Sequence, residues 1–234
     1  MRVFAISDLH LSFGPGVNKP MDIFGTGWVD HASRIQAAWD RQVGAEDWVL
    51  VGGDISWGLT LEEARADLEW IGARPGRKVL IKGNHCTWWT SRTKVEKVLP
   101  PGITLLQNNA VLLPDGTCVV GTRGWNPPGL PWSEPGDDKV FARELGRFDL
   151  SLAEARKLTF TRLVALIHYP PRFSDGRETE FVPKMEAAGV SRCIYGHLHG
   201  KDLALGFVGE KGGIRYHLTS VDFVDCAPVE LTPW

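Results

Sequence analysis

Histidines are spread unevenly along this chain of 234 residues. Five of the seven, His10, His85, His168, His197 and His199, stand just past the end of a short apolar run, beside other residues able to bind metal or move a proton. The run "VFAIS" leads to Asp8-Leu9-His10, "WVLVGG" to Asp54, and "VLIKG" to Asn84-His85. Further on, "LVALI" leads to His168 and "CIYG" to His197-Leu198-His199. Apolar runs of this length suit strands buried on both faces. In α/β sheets ligands collect at the carboxyl ends of strands, because loops from different strands converge there. Eight such residues at five strand ends point to one site.

Imidazole and carboxylate donors without cysteine suit divalent metals such as Mn, Fe, Zn or Co. The set is too large for one tetrahedral ion and suits two ions sharing a carboxylate. Two ions about 3.5–4 Å apart can hold a hydroxide between them and clamp the oxygens of a phosphate during in-line attack. Two divalent ions bring four positive charges, and Asp8, Asp54 and one hydroxide remove three, leaving about +1. Asn84 is neutral and removes none. An anionic substrate is expected.

The elements that must position these residues are legible in outline. Asp30 is placed to N-cap a helix through "HASRIQAAWDRQV", with Ile35, Ala38, Trp39 and Val43 on one side. Thr60 and Glu63 have capping-box spacing before "LEEARADLEWI". "DDKVFARELGRFDLSLAEARKL" reads as one or two helices, and "ETEFVPKMEAAG" as another, interrupted or begun near Pro183. Asp115-Gly116 signals a hairpin, and Gly212-Gly213 a turn between strand-like "LALGFV" and "IRYHLTSVDF". The expectation is an α/β or α+β fold with two central sheets and helices outside. Two long loops, Gly14 to Trp28 and the Pro-rich "NPPGLPWSEPGDD", are candidates for shaping the site.

Composition sets the outer limits. A net charge of −2, with no Lys/Arg run beyond two residues, argues against an extended nucleic-acid surface or a membrane-surface helix. No apolar stretch approaches the ~20 residues of a membrane span, and "MRVFAISDLH" lacks a signal-peptide core. Cys86, Cys118, Cys193 and Cys226 are scattered and form no C-x-x-C pair, so a cytoplasmic, reduced protein is expected. The length suits a single domain spanning 1–234.

Asp8-Leu9-His10, Gly53-Asp54, Gly83-Asn84-His85, His168 and Gly196-His197-Leu198-His199, in that order, resemble the calcineurin-like metallophosphoesterases. The resemblance implies a four-layer αββα sandwich of two mixed β-sheets flanked by helices; the roughly 35 residues after His199 are too few for a separate cap domain. It also implies that Asp8, His10 and His199 hold one metal, that Asn84, His168 and His197 hold a second, and that Asp54 bridges them. His85 would bind neither metal and would face the substrate as a proton donor. The activity implied is hydrolysis of a small phosphate ester, nucleotides included, by a metal-bridging hydroxide. The charge count leans towards diesters. Phosphomonoester hydrolysis, as by a nucleotidase or protein phosphatase, is the alternative, and a non-catalytic scaffold of the same fold the rival.

Cys86 departs from the family pattern, which places Asp or Glu after the Asn-His pair. We read the thiol as a small, weakly polar filler, not a metal ligand or redox site. Arg123 is read as structural before phosphate-binding, and His31 and His217 as ordinary histidines. Trp57, Trp88, Trp89, Trp125 and Trp132 either pack the loops or form an aromatic rim. The segment Asn18-Lys19-Pro20 offers the weakest signal.

Overall fold

The computed structural model describes residues 1–130 and 133–234; Trp132 lies outside the described residues. In chain order the elements are β1 (Val3–Ile6), α1 (His31–Gln42), β2 (Trp48–Val51), α2 (Leu61–Gly72), β3 (Arg77–Leu80), α3 (Arg92–Glu96) and β4 (Ile103–Leu105). They continue with β5 (Val111–Leu112), β6 (Thr117–Thr122), α4 (Asp137–Ala155), β7 (Arg162–Ile167), α5 (Phe181–Ala188), β8 (Val190–Tyr195), β9 (Gly209–Lys211), β10 (Ile214–Leu218) and β11 (Val229–Glu230). They form two mixed sheets flanked by helices, one in each of two compact units. The first unit comprises Met1–Leu105 and Thr219–Trp234, the second Leu106–Leu218.

The first unit's sheet has the order β11-β1-β2-β3-β4. Strands β1 to β4 are parallel, and β11 closes one edge antiparallel to β1. Phe4, Ile6, Val49, Val51 and Leu80 face Ile35 and Trp39 of α1 and Leu68 and Ile71 of α2 in one core. The residues of opposite parity, Val3, Ala5, Leu50 and Val79, are also fully buried. Burial on both faces is why these strands are continuous apolar runs. The capping box at Thr60 and Glu63 is formed as expected and starts α2.

The second unit's sheet runs β5-β6-β7-β8-β10-β9. Its four central strands are parallel, and β5 and β9 are antiparallel edges. One helix, α4, covers the whole "DDKVFARELGRFDLSLAEA" stretch. Its Phe148 and Leu152 share a core with Phe181 and Met185 of α5 and with Val120, Ala165 and Tyr195 of the sheet. Pro183 sits in the first turn of α5, where its missing N–H costs no helical bond. Among the described residues no helix is long and apolar enough to cross a membrane.

Two expectations differ from what forms. Asp30 does precede α1, but in a left-handed conformation (φ 50°) without a side-chain cap. "LALGFV" is not a strand: Gly200–Leu205 forms a 3₁₀ turn. Its Leu203 and Leu205, with Phe207, pack partly against the core, so a period of two was met by packing without a partner strand.

Glu144 of α4 is fully buried and ties the helix to the sheet. It accepts hydrogen bonds from Thr122 Oγ1 at 2.5 Å, Arg147 at 2.7 Å and Arg123 at 3.2 Å. Replacing it by alanine strands the Arg123 guanidinium, 13% exposed, without its carboxylate. Glu144→Ala is therefore expected to lose about 3 kcal/mol of unfolding free energy in urea titrations. Glu144→Gln, which keeps the volume and can still accept from Thr122, should lose clearly less; equal losses would show that charge, not packing or the Thr122 bond, holds the site.

Candidate functional site

Pairing between β1 and β2 continues after both strands end. Gly52 N–H donates to Ile6 O at 3.0 Å, Asp8 N–H to Gly53 O at 3.0 Å, His10 N–H to Asp54 O at 2.9 Å, and Leu11 N–H to Ile55 O at 3.0 Å. Along this zipper Asp8 (φ 62°), His10 (φ 44°) and Asp54 (φ 45°) are all left-handed. For non-glycine residues that conformation costs about 1–3 kcal/mol each and collects at functional sites. The three side chains are buried, at 0%, 3% and 1% exposure. Carboxylate oxygens of Asp8 and Asp54 lie within 4.8 Å of one another. His10 Nε2 lies 3.8 Å from Asp54 Oδ2.

The loop after β3 fastens onto Asp54 from its other side. His85 N–H donates to Asp54 Oδ1 at 2.8 Å, and Ile55 N–H donates to Cys86 Sγ at 3.4 Å. Gly83 permits the approach: a Cβ there would stand 2.1 Å from Asp54 Oδ1 and 2.3 Å from Asp54 N. Cys86 is fully buried, and desolvation, aided by the Asp54 charge, pushes its thiol up to about 12. It is a neutral filler that holds the neighbouring loop. Trp88 and Trp89 are buried against one another and pack the turn. Asn84 is half-buried beside His85, whose side chain is exposed.

Trp57 lies against both imidazoles, stacked on His10 (centroids 4.8 Å, 23° between planes) and tilted over His85 at 4.4 Å. Two supporting residues went unrecognised in the sequence. His31 at the start of α1 packs edge-on against Trp28, with the backbone of Leu9 and His10 alongside; burial lowers its pKa. Asp67 accepts Phe13 N–H at 2.8 Å and the Ser56 hydroxyl, joining α2 to the loops after β1 and β2. Burial raises its pKa. A carboxylate on the apolar face of α2, between Ala64 and Leu68, was the available signal.

The second unit builds its strand ends in the same way. The N–H groups of His168 and Tyr169 donate to Arg123 O at 3.1 and 3.0 Å, and Gly196 N–H donates to His168 O at 3.1 Å. The His168 and His197 rings are 5.2 Å apart. His197 is left-handed (φ 72°), and Tyr169 lies on its ring at 3.8 Å. Trp125 backs Tyr169 at 5.0 Å, and the Arg123 guanidinium covers Trp125 at 4.3 Å. Arg123 is thus structural, held by Glu144 and an indole. Tyr169 is a further residue that the sequence reading passed over. His199, half-buried, stands before the 3₁₀ turn, its carbonyl accepting from Asp202 N–H at 2.9 Å. His217 is part-buried in β10, where burial and then Arg192 and Arg215 lower its pKa to about 4.

The profile of calcineurin-like phosphoesterases matches residues 1–201. The chain belongs to that family. Family members use divalent metals, and the residues here suit them. Two buried carboxylates this close repel unless a cation lies between them, and the surrounding donors are oxygen and nitrogen. The family's acidic position after Asn-His is taken in this calcineurin-like phosphoesterase by a thiol that hydrogen-bonds instead of ionising. Gene 66 protein of Mycobacterium phage D29 is 45% identical over 84 residues, covering 36% of this chain and 40% of its own. Its counterpart in Mycobacterium phage L5 is 43% identical over 81 residues, covering 34% and 37%. The chain thus spans about two fifths of the length of the curated relatives it matches. Among solved structures, phosphopantetheinyl hydrolase (PptH) from Mycobacterium tuberculosis shares the fold, with a TM-score of 0.60 at 16% identity. That likeness covers 100% of this chain and 96% of the other.

Gly83→Ala should leave the circular dichroism spectrum intact while displacing Asp54. Calorimetric titration with Mn or Zn should show affinity weakened by at least about tenfold; unchanged affinity would mean that the Gly83–Asp54 approach is immaterial. All four cysteines are free and buried. A thiol reagent should therefore find none in the native protein and four after denaturation, and a fast-reacting native thiol would contradict the filler role of Cys86.

Proposed function

We propose that the chain, taken as one catalytic domain over 1–234, is a metal-dependent phosphoesterase, with diesters the preferred substrates. In this reading Asp8, His10 and His199 hold one divalent ion, Asn84, His168 and His197 a second, and Asp54 both. The observation that carries the reading is the zipper of Asp8, His10 and Asp54: three buried, left-handed ligand residues held in register by backbone bonds, with the main chain of the exposed His85 fastened alongside. The ions are drawn from Mn, Fe, Zn and Co. When bound, they supply Lewis acidity towards phosphoryl oxygens and lower the pKa of water to about 7.

The chain's own residues do the rest. His85 is exposed, and its main chain is anchored to Asp54, so its ring is held in register with the ligand cluster. From there a ring N–H protonates the departing oxygen. Trp57, lying on both His10 and His85, limits how each ring can turn. Gly83 and Cys86 keep Asp54 in place. The diester preference rests on charge: a net of about +1 at the site matches one negative charge better than two. The solved neighbour's name, a phosphopantetheinyl hydrolase, accords with a phosphate-ester substrate. Four free, buried thiols accord with a cytoplasmic setting.

The test compares bis-nitrophenyl phosphate with mono-nitrophenyl phosphate on protein loaded with each metal in turn. Faster turnover of the diester supports the reading. Faster turnover of the monoester makes the protein a phosphomonoesterase, and loss of both activities in a metal-loaded sample makes it a scaffold. His85→Ala should keep its metal content yet lose about 10²–10⁴ in rate on an ester with a poor leaving group. The loss should shrink for nitrophenyl esters, whose leaving group needs no proton. Metal content that fell together with activity would make His85 a ligand.

A further inference from the structure

Beside His85 the first unit has a cavity of about 410 Å³. Pro15, Val17 and Lys19 of the first long loop line it together with Trp57 and Leu59. The volume suits a group of ring size or larger. Leu59, one of the lining residues, is 70% exposed. Lys19 Nζ lies 5.5 Å from the centroid of the Trp57 ring. Glu63 also lines the cavity, but its carboxylate accepts the N–H groups of Leu59 and Thr60, at 2.7 and 3.4 Å, and caps α2. The cavity thus offers apolar side chains, the polar Asn18 and Thr87, and an ammonium, with the imidazole in the same lining.

We propose that this cavity receives the leaving group of the ester, and that Lys19 makes it selective for leaving groups bearing a negative charge of their own. The proposal rests on the phosphoesterase reading, in which His85 gives its proton to the departing oxygen. In that step water's oxygen forms the new bond to phosphorus and the P–O ester bond breaks. The bonding pair leaves with the departing oxygen, the His85 proton neutralises it, and the proton shed by water restores the imidazole. The group that departs must therefore lie against His85, where this cavity is. Its own charge would find little attraction at a centre whose net charge of about +1 is already matched by the diester phosphate. A separate cation is needed, and Lys19 supplies it.

Two phenyl phosphodiesters test the assignment, one releasing nitrophenol and the other carboxynitrophenol. The readout is the ratio of their kcat/KM values. Lys19→Ala should lower the ratio in favour of the carboxylated ester by about two- to fivefold, chiefly through KM, as for an exposed ion pair. Lys19→Arg should restore it. An unchanged ratio in Lys19→Ala would overturn the proposal. If the unsubstituted protein cleaves neither ester, it is the phosphoesterase reading that fails. Calorimetric binding of free carboxynitrophenol against nitrophenol then decides the cavity's selectivity by itself. A preference for the carboxylated phenol that Lys19→Ala abolishes supports the role of Lys19; equal binding of both phenols to the unsubstituted protein refutes it.

Discussion

Two neighbouring strands that go on hydrogen-bonding after they have ceased to be strands are the constraint on which the site depends. Regular parallel pairing of β1 with β2 ends at Ile6 and Val51, yet Asp8, His10 and Leu11 still donate in turn to Gly53, Asp54 and Ile55. In an ordinary strand, successive side chains point to opposite faces. Asp8, His10 and Asp54 instead take left-handed conformations, in which Asp and His are better tolerated than bulky or β-branched residues. Each inter-loop bond contributes about 0.5–1.5 kcal/mol, which offsets part of the strain. Glycine would relieve the strain completely, but would remove the side chain that could bind a cation.

The second unit solves the same problem at His168 and His197. There Arg123 O receives two N–H groups, His168 O receives a third, and His197 is the left-handed residue. Both units steady imidazoles with aromatic rings, Trp57 beside His10 and His85, and Tyr169 on His197. The orientation of a ligand imidazole governs where its lone pair points. Packing that stiffens the ring therefore acts on metal affinity as surely as the ligand atoms do.

Burial separates the roles of groups with similar chemistry. Cys86 and His85 are adjacent, yet one is enclosed and neutral and the other is exposed to whatever enters beside it. Asp67 and Asp54 are both buried carboxylates. Asp67 accepts the Ser56 hydroxyl and Phe13 N–H and so braces the loops, whereas Asp54 faces Asp8 and His10 and can share a cation with them. Their residue types alone do not distinguish the two roles.

The strands, the principal helices and the ligand types could be read from the chain because they depend on local patterns. A run such as "VFAIS" is a buried strand wherever both its faces are covered, and Thr60 with Glu63 caps a helix through bonds spanning three residues. The misreadings came where local pattern and packing part company. "LALGFV" alternates like a strand, but its first three residues end a 3₁₀ turn and the stretch packs partly against the core, and Asp30 has a capping residue's identity without its geometry. Asp67, His31, Tyr169 and the cavity at Lys19 could not be read in that way, because each acts on residues brought near only by folding. What the amino-acid order determined was which groups stand at strand ends. Strand register and the close approach allowed at Gly83 decided which of those groups meet and which are merely neighbours, since hydrogen bonds and ring contacts act over a few ångströms whatever the distance along the chain.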